Sequence, residues 1–277
     1  DREMKRQKRI ALVNDITGFG RCSVTVELPL ISAMKIQACP LPTAILSVHT
    51  GFPNHYLDDY TARMEPYIKS WEVNGLAFDG ICTGFLGSAE QIAIVLDFIR
   101  RFKGAETRVM VDPVMGDYGK LYPSYTQEMC DKMRRLLGVA DLVTPNLTEA
   151  CQLLDIPYPE DGIVTDGALQ QMAEALAAHG PQQVVITGLH EGDFIKNFLY
   201  DAGHMAIVRA PKIGGDRSGS GDAFAAIVAA SLTNGEGLEE AVQKAASFIS
   251  RCLQYALELD LPWNYGLPFE EYLTELH

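Results

Sequence analysis

Short, almost wholly apolar runs at residues 10–13, 43–48, 80–83, 108–111, 142–144 and 184–187 alternate with longer stretches in which apolar residues recur at helical spacing. A strand with water on one face shows polar residues at every second position, whereas a strand covered by helices on both faces has no polar side. Continuous apolar runs separated by helices therefore predict βα units and a parallel sheet, an α/β fold built as a three-layer α/β/α sandwich. Ser88-Ala-Glu-Gln91 and Ser124-Tyr-Thr-Gln127 have the spacing of capping boxes, so helices are expected after each. Residues 167–179 form another helix, stopped by Gly180-Pro181. Beyond Thr187 the pattern changes. Residues 194–200 and 204–210, parted by Asp201-Ala202-Gly203, read as an antiparallel hairpin, followed by helices at 222–232 and 238–257 and a short one from Phe269.

No linker, repeat or low-complexity tract divides the chain, so residues 1–277 are read as one domain. Asp1 to Arg9 are charged, begin without Met and precede no apolar signal segment, and are read as a disordered or foreign start outside the fold. Lys and Arg total 23 against 36 Asp and Glu, a formal net charge of -13. Such a surface repels nucleic acid and anionic membranes, so a small anion needs a dedicated local site. No stretch reaches the roughly 18 apolar residues of a membrane span. The six cysteines (Cys22, Cys39, Cys82, Cys130, Cys151 and Cys252) are scattered without CxxC pairs, which suits free thiols in the cytoplasm.

The segment richest in chemistry runs from Gly214 through Gly215, Gly219, Ser220, Gly221 and Asp222 into an apolar helix. Glycines let the backbone approach a ligand, and the helix N-terminus adds N–H groups and a positive dipole end, together an anion hole. Asp222 at its edge would repel phosphate unless it serves to accept a proton. An ordinary mobile loop with Asp222 as N-cap weighs equally on spacing alone. Asp112-Pro-Val-Met-Gly-Asp117 and Thr144-Pro-Asn-Leu-Thr-Glu149 follow predicted strands, where open α/β sheets place ligands. Their carboxylates suit Mg²⁺ held mostly through water, although Glu149 also fits a cap on Asn146, and Asp112 before Pro also fits a plain turn. Gly18-Phe-Gly20 with Ser23 narrowly misses the dinucleotide fingerprint, and a Walker A sequence, zinc-ligand spacing and a GxSxG elbow are all lacking. His49, in Ser47-Val-His-Thr-Gly51, is the histidine placed at a strand end, where a packed, hydrogen-bonded role is the commoner one.

Taken together, these segments resemble the ribokinase-like superfamily and specifically its vitamin B6 kinases, over residues 10–257. Gly219-Ser-Gly-Asp222 is similar to that family's Gly-Thr-Gly-Asp motif, backed by Asp112-Pro-Val-Met-Gly116 and Thr144-Pro-Asn146 with Glu149; His49-Thr-Gly51, Thr83-Gly-Phe-Leu-Gly-Ser88 and the 117–125 loop carry the subgroup. The resemblance implies ATP-dependent phosphorylation of the 5′-hydroxymethyl group of pyridoxal, pyridoxine or pyridoxamine. By position it implies Asp222 as the base beside the substrate, Gly219, Ser220 and Gly221 around the γ-phosphoryl, and Asp112, Thr144, Asn146, Glu149, Thr187 and Gly188 at ATP. It further implies Asp112, Asp117 and Glu149 around Mg²⁺, with a monovalent cation as a further option. Asp15, His49, Thr50 and Phe85 fall at the pyridine ring, and the 117–125 loop at a flap. A homodimer is implied as well. Ser220 stands where the family has Thr, and Asp15-Ile16 where better-known pyridoxal kinases have Ser-His, so a tilt toward pyridoxamine or pyridoxine is expected. A hydroxymethylpyrimidine kinase of thiamin synthesis and a catalytically silent nucleotide-binding homologue are the alternatives.

Overall fold

In the computed structural model, which describes residues 6–276, the apolar runs lie side by side in one nine-stranded sheet. Along the chain come β1 (Arg9–Phe19), α1 (Val24–Ala33), β2 (Gln37–Val48), β3 (Leu57–Asp59), α2 (Thr61–Val73), β4 (Gly80–Thr83), α3 (Ala89–Phe102) and β5 (Arg108–Val111). A small hairpin of β6 (Gly116–Asp117) and β7 (Lys120–Leu121) precedes α4 (Gln127–Leu137), β8 (Leu142–Val143), α5 (Leu147–Leu154) and α6 (Asp166–Ala177). The chain closes with β9 (Gln183–Glu191), β10 (Phe194–Asp201), β11 (His204–Pro211), α7 (Ser220–Thr233), α8 (Leu238–Glu258) and two 3₁₀ turns at Trp263–Tyr265 and Glu270–Glu275. Strand order is β11-β10-β9-β8-β5-β4-β1-β2-β3. The stretch from β9 to β2 is parallel, and β3 and the β10–β11 hairpin add antiparallel edges.

Helices cover both faces. On one, α2 to α6 bury Met64, Ile92, Phe98, Met133 and Leu176 against the sheet; on the other, α1, α7 and α8 bury Leu30, Ile227 and Val242. This is the three-layer α/β/α sandwich with a mostly parallel sheet that the alternating pattern predicts. No described helix is long and apolar enough to cross a membrane.

The departures have physical causes. β2 starts at Gln37 and runs through Pro40 and Pro42, residues that argue against a strand in sequence. Partner strand β3 reaches only Ala44 to Leu46, so these prolines face an open edge, where the Tyr67 hydroxyl donates to the Pro40 carbonyl (2.6 Å). α1 escapes detection because it is apolar nearly all round and contains Pro29. α4 begins two residues after the expected start, since Thr126 and not Ser124 caps it, accepting from Met129 N (3.2 Å). Ser88 caps α3 as expected, but Gln91 reaches back to Gly87 N (2.9 Å), one residue further than a capping box requires. The expected N-terminal appendage is shorter than read: Arg9 opens β1, Lys8 donates to the Thr233 carbonyl (2.6 Å) and Arg6 pairs with Asp79 (2.8 Å). Residues 1–5 of it, with His277, lie outside the described residues.

Candidate functional site

β1 has β2 on one side and β4 on the other, so the connections leave it in opposite directions, and the crevice at the strands' carboxyl ends opens there. Asn14 and Asp15 on β1, Thr83 ending β4, Asp112 and Thr144 directly after β5 and β8, and Thr187 midway along β9 come to that one side. A cleft of about 710 Å³ runs over it. Asp112, Asp117, Thr144, Asn146, Glu149, Thr187 and Gly188 line it together with Gly219, Ser220, Gly221 and Asp222.

Gly219 caps α7 in the left-handed conformation (φ 78°). A Cβ there would lie 1.9 Å from the Arg21 carbonyl oxygen, so only glycine lets this loop rest on the turn after β1. Around a Cβ at Gly221, by contrast, there is open space, which leaves the α7 N-terminus free for a ligand. The Ser220 hydroxyl turns back to donate to the Arg217 carbonyl (3.1 Å).

Asp222 stands in the first turn of α7, where its Oδ2 accepts from Ser23 N (2.8 Å). Ser23 holds φ 53° and ψ -137°, a strained conformation that aims its N–H at the carboxylate. Burial pushes the Asp222 pKa up to about 6, with repulsion from Asp15 adding to it and the Ser23 N–H and the Asn14 amide opposing. The group is thus mostly ionised at neutral pH.

Three further carboxylates crowd the cleft. Glu149 completes a true capping box on α5: Oε1 accepts from Asn146 N (2.9 Å), Asn146 Oδ1 accepts from Glu149 N (2.9 Å), and Glu149 Oε2 takes the Met115 N–H (2.9 Å). Burial still lifts its pKa to about 8. Burial, then Glu149 and Asp222, push Asp112 well above the usual range, and its carboxylate makes no hydrogen bond among the described residues. Asp117 accepts from Tyr118 N (2.8 Å) on the β6–β7 hairpin. Among the described residues no three metal-type side chains meet closely enough to hold an ion directly. Mg²⁺ does not require that: one or two carboxylates with water and phosphate oxygens suffice, and the mutually repelling cluster around Asp112 suits a dication.

The β6–β7 hairpin lies over this cleft. Gly119 N donates to Thr148 Oγ1 (2.8 Å), and the Tyr118 hydroxyl donates to Asp216 on the glycine loop.

The positions expected at the pyridine ring are less alike. Asp15 lies near Asp222, accepting from Thr17 Oγ1 (2.6 Å). His49 has both nitrogens engaged: Nδ1 accepts from Gly51 N (3.0 Å) and Nε2 donates to the Asn264 carbonyl (2.7 Å), with Phe52 and Trp263 against its ring. Thr50 is exposed, and Phe85 is half-buried against the α2–α6 face.

Sequence reasoning missed the C-terminal segment. Arg217 donates to the carbonyls of Leu261 (2.8 Å) and Pro262 (3.1 Å), and Arg21 bonds Glu270 (2.7 Å) and the Tyr265 carbonyl (3.0 Å). Residues 261–270 therefore clamp both loops that form the anion hole, and its aromatic, acidic composition gives no signal of that.

The phosphomethylpyrimidine kinase family profile matches residues 30–264. The hydroxymethylpyrimidine/phosphomethylpyrimidine kinase of Haemophilus influenzae is 33% identical over 183 residues, 64% of this chain and 65% of that protein, so the chain spans about two thirds of that relative's length. A Bacteroides thetaiotaomicron protein described as a candidate phosphomethylpyrimidine kinase is 37% identical and superposes with a TM-score of 0.96 over 100% of this chain and 96% of its own; a second crystal form of it, with pyridoxal, gives 0.93 over 98% and 96%. Pyridoxal kinase from Lactobacillus plantarum, 27% identical, superposes at 0.90 over 97% of this chain and 96% of its own. With most of its length matched by the profile and its whole fold shared with these kinases, the chain belongs to the phosphomethylpyrimidine kinase family of the ribokinase-like superfamily.

Proposed function

We propose that this protein transfers the γ-phosphoryl group of ATP to the 5′-hydroxymethyl group of a vitamin B6 vitamer. One observation carries the choice of acceptor: the 37%-identical Bacteroides protein crystallises with pyridoxal in a fold that overlays 98% of this chain. The chemistry follows from the cleft. Asp222 takes the hydroxyl proton as the alcohol oxygen bonds to the γ-phosphorus and the bond to the β–γ bridging oxygen breaks, leaving ADP. The N–H groups of Gly219, Ser220 and Gly221 receive the charge on the transferring group at the α7 N-terminus. Thr144, Asn146, Thr187 and Gly188 line the nucleotide's side of the cleft. Asp112, with Asp117 and Glu149 through water, would hold Mg²⁺, which would supply positive charge against the phosphates. The β6–β7 hairpin keeps water from competing as acceptor. In this reading the enzyme is a cytoplasmic homodimer.

A second reading rests on the Haemophilus relative and the family profile: hydroxymethylpyrimidine presents the same kind of aromatic primary alcohol. ADP release from Mg-ATP with pyridoxal, pyridoxine, pyridoxamine, hydroxymethylpyrimidine and ribose separates the two. Turnover of the B6 vitamers is expected; turnover of hydroxymethylpyrimidine alone sinks the B6 assignment.

Two further outcomes are expected. Because the base must be ionised and its pKa lies at about 6, kcat/KM for the acceptor should fall tenfold per pH unit below pH 6 and level off above pH 7. A profile flat to pH 5 would exclude Asp222 as that base. The Asp15 carboxylate suits a protonated pyridine nitrogen or an amine, so Asp15→Ser should shift the ratio of kcat/KM values away from pyridoxamine by roughly tenfold. An unchanged ratio removes Asp15 from specificity.

A further inference from the structure

Glu27 is a carboxylic acid 4% exposed on α1, with Val24, Val26, Leu30 and Ile31 as the helix's other buried residues, a setting that penalises a polar group left without a partner. Its one side-chain hydrogen bond among the described residues is short: Asn14 Nδ2 donates to Oε1 (2.6 Å). Asn14, 1% exposed, has little freedom. Its Oδ1 accepts from Asp15 N (2.9 Å), which fixes which end of the amide is oxygen, and its Nδ2 lies against Gly84 so tightly that a Cβ there would come within 2.2 Å. The same amide stands beside Asp222 and helps hold its proton affinity down. The backbone at Glu27 is tied to the same turn: its N–H donates to the Ser23 carbonyl (3.0 Å), and Ser23 N donates to Asp222.

We propose that Glu27 is a positioning residue for the proton acceptor, fixing the Asn14 amide so that its second N–H is presented to Asp222. This rests on Asp222 being the base. Glu27 acts as a neutral acceptor. Burial and the facing carboxylates of Asp222 and Asp15, with Asp112 also near, keep it protonated, the Asn14 amide alone opposing. Its remaining oxygen has an outlet: Glu27 lines a cavity of about 10 Å³ shared with Cys82, Asp112, Asp222 and Thr83, whose buried hydroxyl has no partner among the described residues.

Charge and geometry are separated by two variants. Glu27→Gln keeps the acceptor and the shape of the protonated acid; Glu27→Met keeps the volume and removes the acceptor. Glu27→Met should lower kcat roughly 10- to 100-fold with KM for ATP within twofold, and move the acid limb of the kcat/KM profile to higher pH. Glu27→Gln should recover to within about threefold of the parent, with the acid limb in place. Wild-type kinetics in Glu27→Met, or a Glu27→Gln defect as deep as that of Glu27→Met, would overturn the proposal. The Asn14 side-chain amide resonances, assigned with Asn14→Ala, give a readout that needs no acceptor: they should move in Glu27→Met and stay in Glu27→Gln, and amide signals unchanged by Glu27→Met would also overturn it. If no acceptor is turned over, the kinase reading fails by itself and these resonances decide whether Glu27 holds Asn14. Should Glu27→Met not fold, Glu27→Gln and the double variant Glu27→Gln/Asn14→Ala decide: a defect no deeper than that of Asn14→Ala alone is expected, and a deeper one counts against.

Discussion

Asp222→Asn is expected to lower kcat by about 10²- to 10⁴-fold while ATP still binds with near wild-type affinity. The asparagine is isosteric, and its oxygen can accept the Ser23 N–H that now fixes the carboxylate, so the α7 N-terminus and its donors stay in place. What disappears is the proton acceptor. The same substitution should raise stability, and the sign follows from linkage. The carboxylate's pKa rises from an unfolded value near 3.8 to about 6 in the fold, so its contribution is fully favourable below pH 3.8 and is lost as pH rises through about 6. At pH 8 the charged group costs the fold on the order of 2–3 kcal/mol, which asparagine removes. Single-turnover ADP formation, calorimetric titration with a non-hydrolysable ATP analogue and melting temperature measure the three effects. Turnover within tenfold of the parent would show that Asp222 is not the base, and a lower melting temperature at pH 8 would show that its carboxylate is stabilised rather than strained.

The same residue marks how far the sequence could be read. The glycine run before an apolar helix indicates an anion site because its ingredients are contiguous, and the strands at 80–83 and 108–111 have the very bounds of β4 and β5 because each is a short apolar core, Ile81-Cys82 and Val109 to Val111, closed by Asp79 and Gly84 and by Thr107 and Asp112. What aims Asp222 is not contiguous with it. Asn14, Ser23 and Glu27 come from β1, the cap of α1 and α1 itself, some 200 residues earlier, and nothing in the composition of α1 distinguishes a buried acid that orients an amide from an exposed one on a helix surface. Glu149 shows the reverse limit. Capping and cleft-lining compete on spacing, yet the side chain does both, since two oxygens serve two backbone N–H groups at the cleft wall. His49 shows a third. A strand-end histidine suggests chemistry, but the carbonyl that occupies its Nε2 belongs to Asn264, which only the fold brings near.

Gly219→Ala should be nearly as damaging as losing the base, through geometry and not through chemistry. The left-handed conformation costs an alanine roughly 1–2 kcal/mol, and the larger penalty is steric. The new methyl would sit 1.9 Å from the Arg21 oxygen, 2.9 Å from its carbonyl carbon and 3.1 Å from Cys22 Cα, all backbone atoms that cannot rotate away. One of the two loops must then move. Arg21 is tethered by Glu270 and the Tyr265 carbonyl, and the glycine loop by Arg217 to Leu261 and Pro262, so whichever yields carries its own anchor with it. Displacement of the turn after β1 also draws Ser23 N off Asp222, and displacement of the glycine loop scatters the N–H groups at the α7 N-terminus. Either way kcat should fall at least 10²-fold, KM for ATP should rise, and unfolding in urea should shift by about 2–4 kcal/mol. Gly221→Ala is the control: among the described residues its Cβ meets nothing within 4 Å beyond its chain neighbours and its own helix backbone, and its φ lies outside the positive range, so stability should hold while a methyl placed at the phosphate site raises KM for ATP. Loss of both stability and turnover at 219, with loss of ATP affinity alone at 221, is what a backbone-built anion hole requires. Equal effects at the two glycines would mean instead that the loop is soft and takes its shape only when the nucleotide arrives.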